Sequence, residues 1–269
     1  MAESRTRDEL VRRALRTSKI LCFVALVISA LTAVGWIFGI AWLTQGHPML
    51  PVMHANTAAS LALGAVAVLL TAEPPSMGRR TWIALLLSSA VLLLGVLTLG
   101  EYAFGWDLGV DRIFAHDDPT ASRPFPGRPS PQTSLNFVLL GAALFSFNLG
   151  WPIQLGQSVA TLVGANSIAA VTGYIFSART FYGFPLYAPT GMAVHTAVSF
   201  VLLAAALLCR RPNDGMMTLV TSETHSGSMA RQILRAAIAA PPLVGVMTRL
   251  GALAGWYSVN SEGSLFVLV

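Results

Sequence analysis

Apolar positions along the chain form long runs, separated by short polar or proline-rich connections. A helix that crosses a bilayer needs about 20 apolar residues, within a range of about 17–25. Runs of that kind cover 20–43, 55–71, 82–104, 133–149, 153–176, 190–208 and 233–256. An eighth opens near Ser264 and stops at Val269, too short to cross, and is expected to continue in a longer chain. The pattern therefore predicts an all-α integral membrane protein, a bundle of seven complete transmembrane helices plus the start of an eighth.

One pattern recurs three times within these runs: NTAASLALGAVA at 56–67, QTSLNFVLLGAA at 132–143 and HTAVSFVLLAAA at 195–206. Each puts a polar residue before a Thr, a Ser or Asn three positions after it, and an apolar run behind. Each also follows a proline (Pro51, Pro131, Pro189), which suits a helix start. A second feature precedes every copy. The upstream apolar run ends in an aromatic step: Gly35-Trp36-Ile37-Phe38, Gly100-Glu101-Tyr102-Ala103-Phe104 and Gly173-Tyr174-Ile175-Phe176. Self-similarity of this kind marks one supersecondary unit used repeatedly. The expected units are helical hairpins at 20–71, 82–149 and 153–208, with 233–269 an incomplete fourth.

Composition narrows the class. The chain is 54% hydrophobic and 11% charged, with a mean hydropathy of +0.65, whereas soluble domains carry roughly a quarter charged residues. Arg5, Arg7, Arg12, Arg13, Arg16 and Lys19 make 1–19 a basic amphipathic segment expected to lie along the cytoplasmic membrane surface. Residues 20–269 then form a single membrane domain. Arg79, Arg80, Arg210, Arg211, Arg231 and Arg235 fall in alternate connections, which sets the N-terminus inside a bacterial inner membrane that the chain crosses several times. The net charge of +5 is thus explained by topology, and nucleic acid is not an expected partner. Cys22 and Cys209 lack metal-ligand spacing and read as small apolar residues.

Chemistry is sparse. No nucleotide loop, Ser/His/Asp set, HExxH or paired-carboxylate motif is present, so no catalysis is expected. Glu101 and Arg249 fall inside predicted spans on the outer side, where a lone charge is costly. Both are expected to face the bundle interior, with a mutual ion pair as one arrangement. Asn56, Gln132 and His195 would converge near the periplasmic face if the hairpins share a centre. Thr57, Thr133 and Thr196 would join them, with Trp36, Tyr102 and Tyr174 close by. Apolar walls with a few convergent polar groups suit a small ligand, and capping of helix N-termini accounts for the same residues. His54 and His195 are the residues that would hold haem or a metal, but neither has a partner at ligand spacing. No cofactor is predicted, haem and a quinone being the alternatives. The connection 105–131, with Asp107, Asp111, Asp117, Asp118, Arg112, Arg123 and Arg128, is long enough to be functional.

The stretches PGRPSPQTSLNFVLLGAALF and LYAPTGMAVHTAVSFVLLAAALL, with GMMTLVTSETHSGSMARQILRAAIAAPPLVGVMTRLG behind them, carry a resemblance. They are similar to the multi-helix N-terminal membrane region of bacterial sensor histidine kinases and of PAS- and GGDEF-containing signalling proteins. Gln132 stands where that pattern usually has Asn. The resemblance implies a non-catalytic sensor or anchor module whose kinase or cyclase output domain would lie beyond residue 269. The partners it implies are the lipid bilayer and C-terminal signalling domains. The alternatives are an accessory structural subunit among partner subunits of an inner-membrane complex, energy-converting ones included, and a cofactor-binding protein or small transporter. GxxxG spacing at Gly35–Gly39 and Gly251–Gly255 is compatible with close helix packing and an oligomer.

Overall fold

The computed structural model describes residues 2–48, 50–71, 77–113, 126–176, 181–183 and 190–254, without the side chains of 2–6, 237–238, 241–242, 248–249 and 252–253. The helices are α1 (Ala2–Phe38), α2 (Ala41–Gln45), α3 (Ala55–Leu70), α4 (Arg79–Phe104), α5 (Pro131–Leu149), α6 (Ile153–Ile175), α7 (Val194–Leu208), α8 (Met217–Thr221) and α9 (His225–Leu253). A single 3-10 turn, Val110–Arg112, follows α4. Among the described residues no strand forms, only one isolated bridge between Gly183 and Gly191. The protein is all-helical, as the apolar periodicity predicts.

Helix lengths modify the expected spans. Among the described residues, four helices are long and apolar enough to cross a membrane: α1 from Arg7, α4, α5 and α6. Helices α3 and α7 have 16 and 15 residues, about 24 and 22 Å at 1.5 Å per residue, against a hydrocarbon core of about 30 Å. The expected runs 55–71 and 190–208 are therefore shorter as helices, α7 beginning only at Val194. Both pack against several other helices, α3 against α1, α4 and α7, and α7 against α6, α1 and α3. The first span ends at Phe38 instead of residue 43, since Gly39 takes φ +67. No break separates the basic segment 1–19 from that span. A single helix runs through both, with no Gly or Pro before Gly35 to stop it. The run expected at 233–256 begins as helix at His225. Residues 264–269 lie outside the described residues.

Three antiparallel pairs hold the densest contacts: α1 with α3, α4 with α5, and α6 with α7. The pairs then close on one another in a ring, α3 against α4, α5 against α6, and α7 against α1. Helices α3, α5 and α7 also touch each other, which makes them the inner helices. Their meeting place is apolar. Leu61, Leu140 and Leu203 are fully buried, and Phe137 meets Phe200 edge to face at 5.0 Å. Burial of such side chains is worth roughly 1.5–3 kcal/mol each. The α4–α5 approach depends on Gly95, where a Cβ would stand 2.7 Å from the Ser134 carbonyl oxygen. Helix α9 packs on α6 and α8, at the rim of this ring.

The three recurring stretches start their helices in one register. With His54, Ser130 and Ala193 as N-caps, the residues Asn56, Gln132 and His195 each take the second helical position, and Thr57, Thr133 and Thr196 the third. All three threonines are buried. The Thr residues are thus not caps. In α5 the cap is Ser130, whose Oγ accepts from the Thr133 N–H at 3.2 Å.

Candidate functional site

Helix α4 ends on Gly105 in the left-handed conformation, φ +68, and the chain turns again at Gly109, φ +70, into the 3-10 turn. It returns through Gly127, φ +84, to the start of α5. These turns fold both ends of the long connection back over the end of α4. Three charged side chains meet there, Glu101, Asp111 and Arg128, none more than 3% exposed. Arg128 Nε lies 3.2 Å from Glu101 Oε2 and 3.2 Å from Asp111 Oδ2.

Neighbours fix the arrangement. Glu101 Oε1 accepts the Leu108 N–H at 3.0 Å, which holds the first turn of the connection. The guanidinium lies over the Tyr102 ring, 5.5 Å from its centroid, and the Tyr102 hydroxyl donates to the Pro129 carbonyl at 3.2 Å. From α3, Asn56 Nδ2 donates to the carbonyls of Val110 and Asp111, at 3.3 Å each. Outside this core, Asp107 and Arg112 form an exposed pair at 2.7 Å. Carboxylate oxygens of Glu101, Asp107 and Asp111 all lie within 4.8 Å of one another. Buried charges are retained only with close partners, because desolvation costs several kcal/mol per ion.

Arg128 was not an expected partner. The anticipated one, Arg249, has a side chain outside the described residues. Glu101 does face the protein interior, at 1% exposure. The proline-rich context of Arg128 gave no periodicity that would place it at depth. Its position inside PGRPSPQTS, the stretch carrying the family resemblance, was the available signal. Asp111 was visible only as one acid among several. The remaining acids of that connection, Asp117 and Asp118, and also Arg123, lie outside the described residues.

The other expected pocket residues have separate tasks. Asn56, Gln132 and His195 do not bond to one another. Each reaches instead toward the connection of the next helix pair. Asn56 goes to Val110 and Asp111, and Gln132 donates to the Phe181 carbonyl at 2.9 Å and to Asn166 Oδ1 at 3.0 Å. His195 lies beside Gly46, where a Cβ would stand 3.4 Å from its Cε1. The physical reason is their shared place at the second helical position, on the side of each inner helix that meets the following pair.

Trp36, Tyr102 and Tyr174 likewise act alike. Trp36 Nε1 donates to the Met53 carbonyl at 2.9 Å, Tyr102 to Pro129, and the Tyr174 hydroxyl to Met192. Each acceptor is the residue just before the N-cap of the paired helix. The aromatic at the end of one helix thereby ties down the start of its partner. Trp36 also stacks on His54 at 6.3 Å and lines a groove of about 560 Å³ between α1 and α3, with Leu26, Ala33, Ala55 and Ala59. As N-cap of α3, His54 makes no side-chain capping bond.

A further polar chain crosses α5 and α6. Asn166 Nδ2 donates to Asn136 Oδ1 at 2.7 Å, and Asn136 Nδ2 to Ser167 Oγ at 2.9 Å. Asn136 was legible as the polar position after Thr133; Asn166 carried no such mark.

At the opposite end of the bundle the arginines do different work. Arg210 donates to the Thr71 and Leu69 carbonyls, both at 2.9 Å, and Arg211 to the Phe147 carbonyl at 2.7 Å. These are carbonyls at the C-terminal ends of α3 and α5, which no intrahelical N–H reaches.

No family model, curated protein or solved structure matches this chain.

Proposed function

We propose that the chain is the non-catalytic input or anchor module of a bacterial signal transducer, embedded in the inner membrane with its N-terminus in the cytoplasm. The observation that carries this reading is the buried Glu101–Arg128–Asp111 cluster. It closes one end of an apolar helix ring with groups whose bonds join α3, α4, the long connection and the start of α5. A change at such a cluster shifts several helices together, which an input module requires. The stretch that resembles bacterial sensor regions supplies Arg128 itself.

In this reading the ring is built from three repeated hairpins. The matching register of Asn56, Gln132 and His195, the three aromatic ties and the cyclic order of packing all support the repeat. The seven crossings comprise the four long helices together with α3, α7 and α9. Arg210 and Arg211 sit at the cytoplasmic end, in keeping with the inside preference of basic residues.

Mild-detergent purification of the tagged protein from its native host tests the proposal. Recovery with PAS, kinase or cyclase sequence, on the same polypeptide or bound to it, is expected. Stoichiometric recovery with electron-transfer subunits instead would overturn the proposal in favour of an accessory subunit. A visible absorption band in the purified protein would favour the cofactor-binding reading.

A further inference from the structure

The charged cluster is unbalanced in a specific way. Two carboxylates, Glu101 and Asp111, face one guanidinium, and all three side chains are at most 2% exposed. Arg128 Nε carries a single N–H. That hydrogen is directed to Asp111 Oδ2, and Glu101 Oε2 accepts no hydrogen bond although it is buried. Asp111 Oδ1 is a second buried oxygen with no donor. The described residues thus leave two donor-less carboxylate oxygens in one buried group.

Surrounding elements offer little to correct this. Helices α3 and α5, packed against α4 here, contain no Asp, Glu, Lys, Arg or His. Among the described residues, the charged groups acting on Glu101 are Arg128, Asp111 and Asp107, and the Arg128 guanidinium lies over the ring of Tyr102, from the same helix as Glu101. Asp107 is already paired, in the open, with Arg112.

We infer that Glu101 and Asp111 form a proton-binding pair, holding one proton between them while Arg128 balances the remaining charge. With one guanidinium facing two buried carboxylates, the fully ionised group carries an uncompensated charge that burial disfavours. A single added proton brings the buried trio to neutrality. A metal ion is the poorer occupant, because the guanidinium already sits between the two acids and repels a second multivalent cation. The proton has a mechanical consequence. Glu101 Oε1 anchors Leu108, and Asn56 anchors the turn bearing Asp111, so loss of the proton leaves a repelling pair beneath both ends of the 105–112 segment. The site is a pH-sensitive latch on that segment. It stands whether the chain signals or serves as a subunit.

Infrared spectroscopy of the whole chain in lipid nanodiscs tests this. The expected result is a carboxylic-acid C=O band near neutral pH that shifts in D2O and disappears as the pH is raised. It should be lost in Glu101→Gln, be lost or displaced in Asp111→Asn, and persist in Glu223→Gln, an exposed control. Where a variant fails to fold, carboxyl 13C-labelling of Glu or Asp in the native chain assigns the band instead. No acid band near neutral pH, or a band that neither change nor labelling moves, overturns the proposal. So does a rise in the thermal midpoint on adding calcium or magnesium that Glu101→Gln abolishes, since that result puts a metal ion in the site.

Discussion

Arginines close both ends of this helix ring, yet they satisfy different groups. At one end Arg210 and Arg211 donate to backbone carbonyls of α3 and α5. At the other, Arg128 lies between two buried carboxylates. The carbonyl contacts involve partial charges that every helix C-terminus exposes, so an arginine there is favoured by the helix dipole in any bundle. The carboxylate contacts involve full charges, and these exist only because the chain put acids at depth. The first arrangement is generic; the second is a commitment by particular residues. It is the second end, therefore, where function is sought.

Breaking the comparison should give its largest effect at Arg128. Arg128→Met leaves Glu101 and Asp111 facing each other without a guanidinium and is expected to destabilise by about 3–5 kcal/mol. Reversible unfolding in mixed micelles measures it. Adding Glu101→Gln and Asp111→Asn should recover most of the loss. A loss below about 1 kcal/mol for the single change would show that the acids are already neutral or solvated.

Next in size is Arg211, which is 6% exposed. Arg211→Met strands the Phe147 carbonyl and should cost about 1–3 kcal/mol, the range for an unsatisfied buried acceptor. Arg210→Met should cost less, because Arg210 is only part-buried and water can replace it at Leu69 and Thr71. Equal losses at Arg128 and Arg211 would erase the distinction between the two ends.

The smallest expected effects concern the aromatic ties. Tyr102→Phe and Tyr174→Phe each remove the hydroxyl that bonds the residue before an N-cap, a hydrogen bond worth about 0.5–1.5 kcal/mol. Trp36→Phe should lose more, because it also gives up ring area against His54. The sharper outcome is at Tyr102. If the carboxylate end is the special one, Tyr102→Phe should shift the pH dependence of the infrared acid band, and Tyr174→Phe should not.

Much of the architecture was present in the chain itself. Apolar run length specified the helices and, among the described residues, four long and apolar enough to cross a membrane. The recurring pattern aligns Asn56, Gln132 and His195, and each takes the second position of its helix. Basic clusters at Arg79–Arg80 and Arg210–Arg211 marked helix ends. These features depend on neighbours within one or two turns, and local sequence contains such neighbours.

Tertiary structure decided the rest. Whether a polar side chain at the second helical position points at its equivalents or at the next connection depends on the direction in which the pairs close. No single segment encodes that direction. Helix α7 begins only at Val194, a boundary that its apolar run does not reveal. Above all, Arg128 is 27 residues from Glu101 in sequence and sits among prolines. With turns at Gly105, Gly109 and Gly127, it comes within 3.2 Å of that carboxylate. Charge pairing across such a connection is governed by chain path instead of periodicity, and the path is fixed only when the whole ring packs.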